Sequence, residues 1–112
     1  MTPLELGSAT LTLEAINQVV FSGRKVALDA ESRKRVDACA EFVREAARSG
    51  RAVYGVTTGF GANRNTTIDP SEAEQLQLNL LVSHACGVGD PYPESVVRAM
   101  ILLRINALAQ GH

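Results

Sequence analysis

Residues Glu94 to Ala109, ESVVRAMILLRINALA, read as a helix that is apolar on nearly every side: after Ser95 only Arg98, Arg104 and Asn106 interrupt it. A helix without a polar stripe belongs inside a large protein or in an interface. The chain has 112 residues, and a chain of that size buries only part of its apolar surface. The four or five helices it can supply cannot enclose this one on all sides. The expected fold is therefore mainly α-helical, incomplete as a domain over residues 1–112, with packing partners missing.

Composition narrows the function classes. Hydrophobic residues make up 46% and charged residues 21%, too apolar for a disordered tail. Eleven basic residues against twelve acidic ones give a net charge of −1, which argues against a nucleic-acid module held by phosphates. Cys39 and Cys86 match no C-x-x-C spacing, so reduced thiols are expected and neither a disulfide framework nor a metal site. The N-terminus lacks a basic region followed by a long apolar run, and Glu5 and Glu14 argue against a transit peptide. The stretch Met100 to Leu103, closed by Arg98 and Arg104, is far short of the roughly 20 residues that span a bilayer. A cytoplasmic protein without membrane contact is expected.

The periodicity yields a helical series. Thr12 precedes LEAINQVVF, a short amphipathic helix closed by Gly23. Lys25 to Leu28 suits a short extended piece. Asp29 is an N-cap for a helix from Ala30 to about Ser49, with Val36, Ala40, Val43 and Ala47 as its apolar row and Gly50 as its stop. Asp69-Pro70-Ser71-Glu72 reads as a capping box, with Asp69 as N-cap and Pro70 as first helical residue, for a helix through SEAEQLQLNLLVSHA. Pro91 and Pro93 lead into the apolar helix described above.

Between these helices the pattern breaks. Arg51 to Pro70 packs Gly55, Gly59 and Gly61 among Thr57, Thr58, Asn63, Asn65, Thr66 and Thr67. A connector of this length is uncommon unless functional or disordered, and Val53, Val56 and Phe60 argue against disorder. A phosphate-binding loop is disfavoured, because no Gly-Lys-Ser/Thr ending follows. Tyr54 reads in two ways: a core tyrosine with a satisfied hydroxyl, or a phenol fixed by a tight glycine loop and facing a cavity. Ser83-His84 likewise reads as a surface or capping pair, or as a polar recognition pair. No acidic partner is identifiable that would make it a nucleophile system.

YGVTTGFG, Tyr54 to Gly61, resembles the signature of the aromatic amino acid lyase family. It is followed at the family's spacing by LQLNLLVSHACGVGDPYP, Leu76 to Pro93, and by VVRAMILLRINALAQGH, Val96 to His112. The resemblance reaches back to about Leu11. It implies the N-terminal helical part of the ammonia-lyase fold, with Arg51 to Pro70 as a long Gly-rich catalytic loop. It also implies elimination of ammonia from an L-amino acid to an α,β-unsaturated acid, with Tyr54 as general base and Gly55, Thr58, Gly59, Phe60 and Gly61 as its loop. Tyrosine ordinarily titrates near 10, so that role requires helix N-termini or cations around the site. Gly59 and Gly61 would let the loop backbone approach a ligand closely.

The family's selectivity pair lies at the end of the LQ-N-L helix. Here it is Ser83-His84, similar to the histidine enzymes rather than to the Phe-Leu or His-Leu of phenylalanine and tyrosine enzymes. The implied substrate is L-histidine and the implied product trans-urocanate, with His84 pairing with the substrate ring. The implied electrophile is a 4-methylidene-imidazol-5-one (MIO) formed from Ala-Ser-Gly, and the implied assembly is a homotetramer. The chain contains no Ala-Ser-Gly. By analogy the triplet is expected about thirty residues beyond His112, so the chain alone is expected to be inactive. Phenylalanine and tyrosine lyases and aminomutases stay open as alternatives, as does a non-catalytic helical module that needs a partner chain.

Overall fold

The computed structural model describes residues 1–7, 10–63, 66–69 and 71–111. The expectations placed on Asn65 and Pro70 lie outside the described residues. The elements in chain order are β1 (Leu4–Leu6), α1 (Leu13–Ser22), β2 (Val26–Leu28), α2 (Ala30–Arg48), a 3-10 turn at Gly61–Asn63, α3 (Ala73–His84) and α4 (Glu94–Leu108). The protein is mainly helical, as expected, and divides into two compact units, residues 1–39 with 90–112 and residues 40–89.

In the first unit, β1 and β2 pair in parallel with Leu4 opposite Val26 and Leu6 opposite Leu28. A parallel pair needs a crossover, and α1 supplies it. Thr12 caps α1, its side-chain oxygen accepting the Ala15 amide at 3.2 Å. At the other end the Gly23 amide donates to the Gln18 carbonyl. Sequence periodicity missed β1, because three residues are too few to display alternation.

Asp29 caps α2 as expected: its carboxylate accepts the Ser32 amide at 2.7 Å and the Ser32 hydroxyl at 2.9 Å. The fully buried Ser32 also accepts from Arg35 Nη2 at 2.6 Å. Arg35 Nε donates to the Gln110 carbonyl and the Gln110 amide to the Gly7 carbonyl, so one polar chain ties β1, α2 and the C-terminal residues together. Removing one member leaves buried polar groups unmatched. Asp29→Ala is expected to lower stability by about 1–2 kcal/mol, measured as a lower urea midpoint at unchanged slope. An unchanged midpoint would remove the capping role.

The apolar helix α4 packs on α1. Leu102 joins Leu6 and Val19 in the core, flanked by Leu4, Leu11 and Ile16. Arg98 reaches across to the Val19 carbonyl at 3.0 Å and pairs with Glu94 at 3.3 Å. The remaining sides of α4 stay in solvent: Met100, Ile101, Leu103, Ile105 and Leu108 are exposed. Met100, Ile101, Leu103 and Ile105 border an open apolar trough of about 590 Å³. One stripe of this all-round apolar helix is covered within the chain.

The second unit holds the end of α2, the glycine-rich loop and α3. At the end of α2, Ala46 is buried, Ala40 and Ala47 are half-buried, and Val43 is exposed. The start of α3 corrects the sequence reading. The helix begins at Ala73, with Glu72 in the cap position and no side-chain cap bond. The Asp69 carboxylate is instead taken by its near neighbour Ser71, whose amide donates at 2.9 Å and whose hydroxyl at 2.5 Å. These two bonds hold the Asp69 carboxyl below its ordinary pKa. A side chain closed on a local turn is not available to cap a helix three residues on.

Candidate functional site

The glycine-rich loop is built around two buried threonines. The Val53 carbonyl accepts the amides of Val56 and Thr57, both at 3.0 Å. Thr57 returns the bond, its hydroxyl accepting the Val53 amide at 2.8 Å and donating to the Arg51 carbonyl at 2.6 Å. Thr58 forms an antiparallel bridge with Thr67. Beside that bridge, the Gly59 amide donates to Thr66 at 3.1 Å and the Ile68 amide to Thr57 at 2.9 Å. Thr57 and Thr58 are each 3% exposed. Buried hydroxyls and amides that satisfy one another give a definite shape to a segment with little regular structure.

Two glycines are required by this shape. Gly55 has φ +71°, and a Cβ there would lie 2.9 Å from Phe60 Cε1. At Gly59 a Cβ would lie 2.7 Å from Asn63 Cβ and 2.8 Å from its carbonyl oxygen. The expectation that Gly59 opens the backbone to a ligand is thereby corrected, since that space is filled by Asn63 within the loop. Gly61 has φ +55° and open space where a Cβ would be.

Tyr54 sits at the head of the loop. The core reading of this residue is overturned: it is 65% exposed. Its ring meets Phe60 edge to face, with centroids 6.1 Å apart and planes at 77°. The aromatic contact positions the ring and leaves much of the side chain open, so the phenol stands on a braced backbone and faces outward. Thr58 supports the same turn from below, accepting the Gly55 amide at 3.4 Å.

Ser83 and His84 form the last turn of α3, and both are exposed. The Ser83 hydroxyl donates to the Leu80 carbonyl at 2.9 Å. His84 Nδ1 lies 2.9 Å from the same carbonyl and 3.0 Å from the Ser83 hydroxyl. In the tautomer with its proton on Nδ1, the neutral ring donates to this carbonyl and leaves Nε2 as an acceptor for a donor placed beyond the helix end.

The structure thus brings Tyr54, Gly55, Thr58, Gly59 and Phe60 into one bonded loop and sets Ser83 beside His84 on α3. A residue that sequence reading passed over joins the two: Gln77 Nε2, on α3, donates to the Gly55 carbonyl at 2.7 Å. Gln77 appeared in the sequence as an ordinary polar position of the LQLN run, and nothing in its spacing marked it. It also borders an open cleft of about 390 Å³ with Val43, Arg44, Val56 and Glu74. Among the described residues no cluster of three His, Cys, Asp or Glu is placed to hold a metal. Nor is any helix there long and apolar enough to cross a membrane.

The aromatic amino acid lyase family profile matches residues 11–112. The chain is 48% identical over 103 residues to a histidine ammonia-lyase of Geobacillus thermodenitrificans, covering 92% of this chain and 20% of that protein. It is 48% identical over 112 residues to a histidine ammonia-lyase of Symbiobacterium thermophilum, covering 100% of this chain and 22% of that protein. Among solved structures, tyrosine aminomutase from Streptomyces globisporus superposes with a TM-score of 0.91 at 36% identity, over 99% of this chain and 21% of that one. The chain therefore spans about a fifth of the length of the relatives it matches.

Proposed function

Since the chain belongs to the aromatic amino acid lyase family, we propose that it supplies the base loop and the ring-recognition pair for elimination of ammonia from L-histidine to trans-urocanate. The observation that carries the histidine reading is the Ser83-His84 pair at the end of α3, with His84 Nδ1 held on the Leu80 carbonyl. An imidazole that offers Nε2 as an acceptor suits a substrate ring carrying an N–H, and a phenylalanine ring has nothing to donate to it. The many histidine ammonia-lyases among the similar proteins support the same choice.

In this reading Tyr54 Oη takes the proton from the substrate β-carbon. The electron pair of the broken C–H bond forms the α,β double bond, and the Cα–N bond breaks to release ammonia. The β-proton is weakly acidic and the amine a poor leaving group, so proton removal requires a base fixed close to that carbon. The threonine-braced loop, with its positive-φ Gly55, provides a fixed mounting for the phenol.

The family uses MIO, an electrophile built from Ala-Ser-Gly, to activate the amine. No such triplet occurs among these 112 residues, so none of them forms that group. The exposed faces of α4 support packing against further protein, in keeping with a homotetrameric, cytoplasmic enzyme that acts on a free amino acid without nucleic acid or membrane.

The likeness to tyrosine aminomutase favours a second reading, in which the amine is returned to the β-carbon rather than released. Product analysis separates the two. In protein that carries these residues together with an Ala-Ser-Gly triplet, turnover of L-histidine with stoichiometric urocanate and ammonia is expected, with urocanate followed by its ultraviolet absorbance; the 112-residue chain alone is expected to give no signal. A β-amino acid product, or turnover of L-tyrosine or L-phenylalanine in preference to L-histidine, would overturn the proposal.

A further inference from the structure

We propose that Gln77 is a positioning residue that sets Tyr54 in register with His84, acting through the Gly55 carbonyl. The inference rests on the reading of Tyr54 as the base. Gly55 immediately follows Tyr54 and carries a φ of +71°, so its two flanking peptide groups decide where the phenol is carried. Its amide is received by the Thr58 hydroxyl at 3.4 Å, a long bond. Its carbonyl is gripped by Gln77 Nε2 at 2.7 Å, a much shorter one. The stronger restraint on this glycine therefore comes from α3 and not from the loop itself.

Helix geometry gives that restraint a consequence. Gln77 and His84 are seven residues apart on α3, two turns of helix, so they lie on nearly the same face with a rise of about 10.5 Å between them. The face that meets the base loop is thus the face that ends in His84. A loop anchored by its own threonines would hold its shape yet slide against the helix. The Gln77 bond removes that freedom at the residue next to the base. Misplacement of a reacting group by about 1 Å costs on the order of a hundredfold in rate, so a single side-chain bond at this point governs turnover without touching substrate.

Two substitutions separate the donor from the shape. Gln77→Met keeps length and volume but has no N–H, whereas Gln77→Lys keeps a donor of comparable reach. In the 112-residue chain, the carbonyl carbon-13 resonance of Gly55 and the Tyr54 ring signals are expected to shift in Gln77→Met and return toward wild type in Gln77→Lys. An unchanged Gly55 carbonyl in Gln77→Met would overturn the proposal. In protein competent for L-histidine turnover, Gln77→Met is expected to lower kcat at least tenfold with KM within about twofold, and Gln77→Lys to recover most of the loss. A raised KM at unchanged kcat, or no recovery with lysine, would also overturn it. Tyr54→Phe run alongside identifies which idea has failed. Normal turnover there removes the base assignment, whereas inactive Tyr54→Phe with fully active Gln77→Met removes the role of Gln77 alone.

Discussion

In protein competent for L-histidine turnover, Tyr54→Phe is expected to reduce kcat for ammonia elimination by at least about a thousandfold, equivalent to roughly 4 kcal/mol of transition-state stabilisation. The substitution removes one oxygen. The ring that meets Phe60 at 6.1 Å is retained, and so is the backbone that Thr57 and Thr58 hold. At 65% exposure the side chain contributes little core packing, so the change in stability is expected to stay within about 0.5 kcal/mol. A large rate loss with an unchanged urea midpoint assigns the loss to chemistry. Turnover within a few-fold of wild type would show that the β-proton leaves by another group.

Replacing Ser83 and His84 together by Phe and Leu is expected to raise the ratio of kcat/KM for L-phenylalanine over L-histidine by at least about a hundredfold. A site built to hydrogen-bond a substrate group discriminates strongly against partners lacking it, because its own polar atoms are otherwise stranded. In the native pair His84 Nδ1 lies 2.9 Å from the Leu80 carbonyl, and in the proposed reading Nε2 receives the substrate ring N–H. Leucine offers no acceptor and phenylalanine adds apolar area, so both changes favour a benzene ring over an imidazole. Both positions are exposed on the last turn of α3, and the helix is expected to survive the exchange. Competition assays with the two amino acids measure the ratio directly. An unchanged preference for histidine would place ring selection outside α3.

The parts of the fold that could be read in advance are those decided by neighbours in sequence. Thr12 bonds three residues ahead to Ala15 and starts α1. Asp29 bonds three residues ahead to Ser32 and starts α2. The same logic failed at α3. Asp69 met Ser71 first, and local donors competing for one carboxylate cannot be ranked from residue type alone. β1 escaped for another reason: its bonds run to Val26–Leu28, more than twenty residues away, and a three-residue strand carries no pattern of its own.

The candidate site divides along the same line. Sequence by itself determined the residue types: a tyrosine leading into a glycine loop, a Ser-His pair closing a helix, an apolar helix with more faces than this chain covers, and through YGVTTGFG the family. Those are matters of local composition and order. Only the tertiary structure decided that Tyr54 is exposed and not a core residue, that Gly59 makes room for Asn63, that His84 Nδ1 meets the Leu80 carbonyl, and that Gln77 grips the Gly55 carbonyl from 22 positions away. Each depends on which groups meet after the chain has folded back on itself. A hydrogen bond between distant residues leaves no periodicity in the sequence by which it could be foreseen.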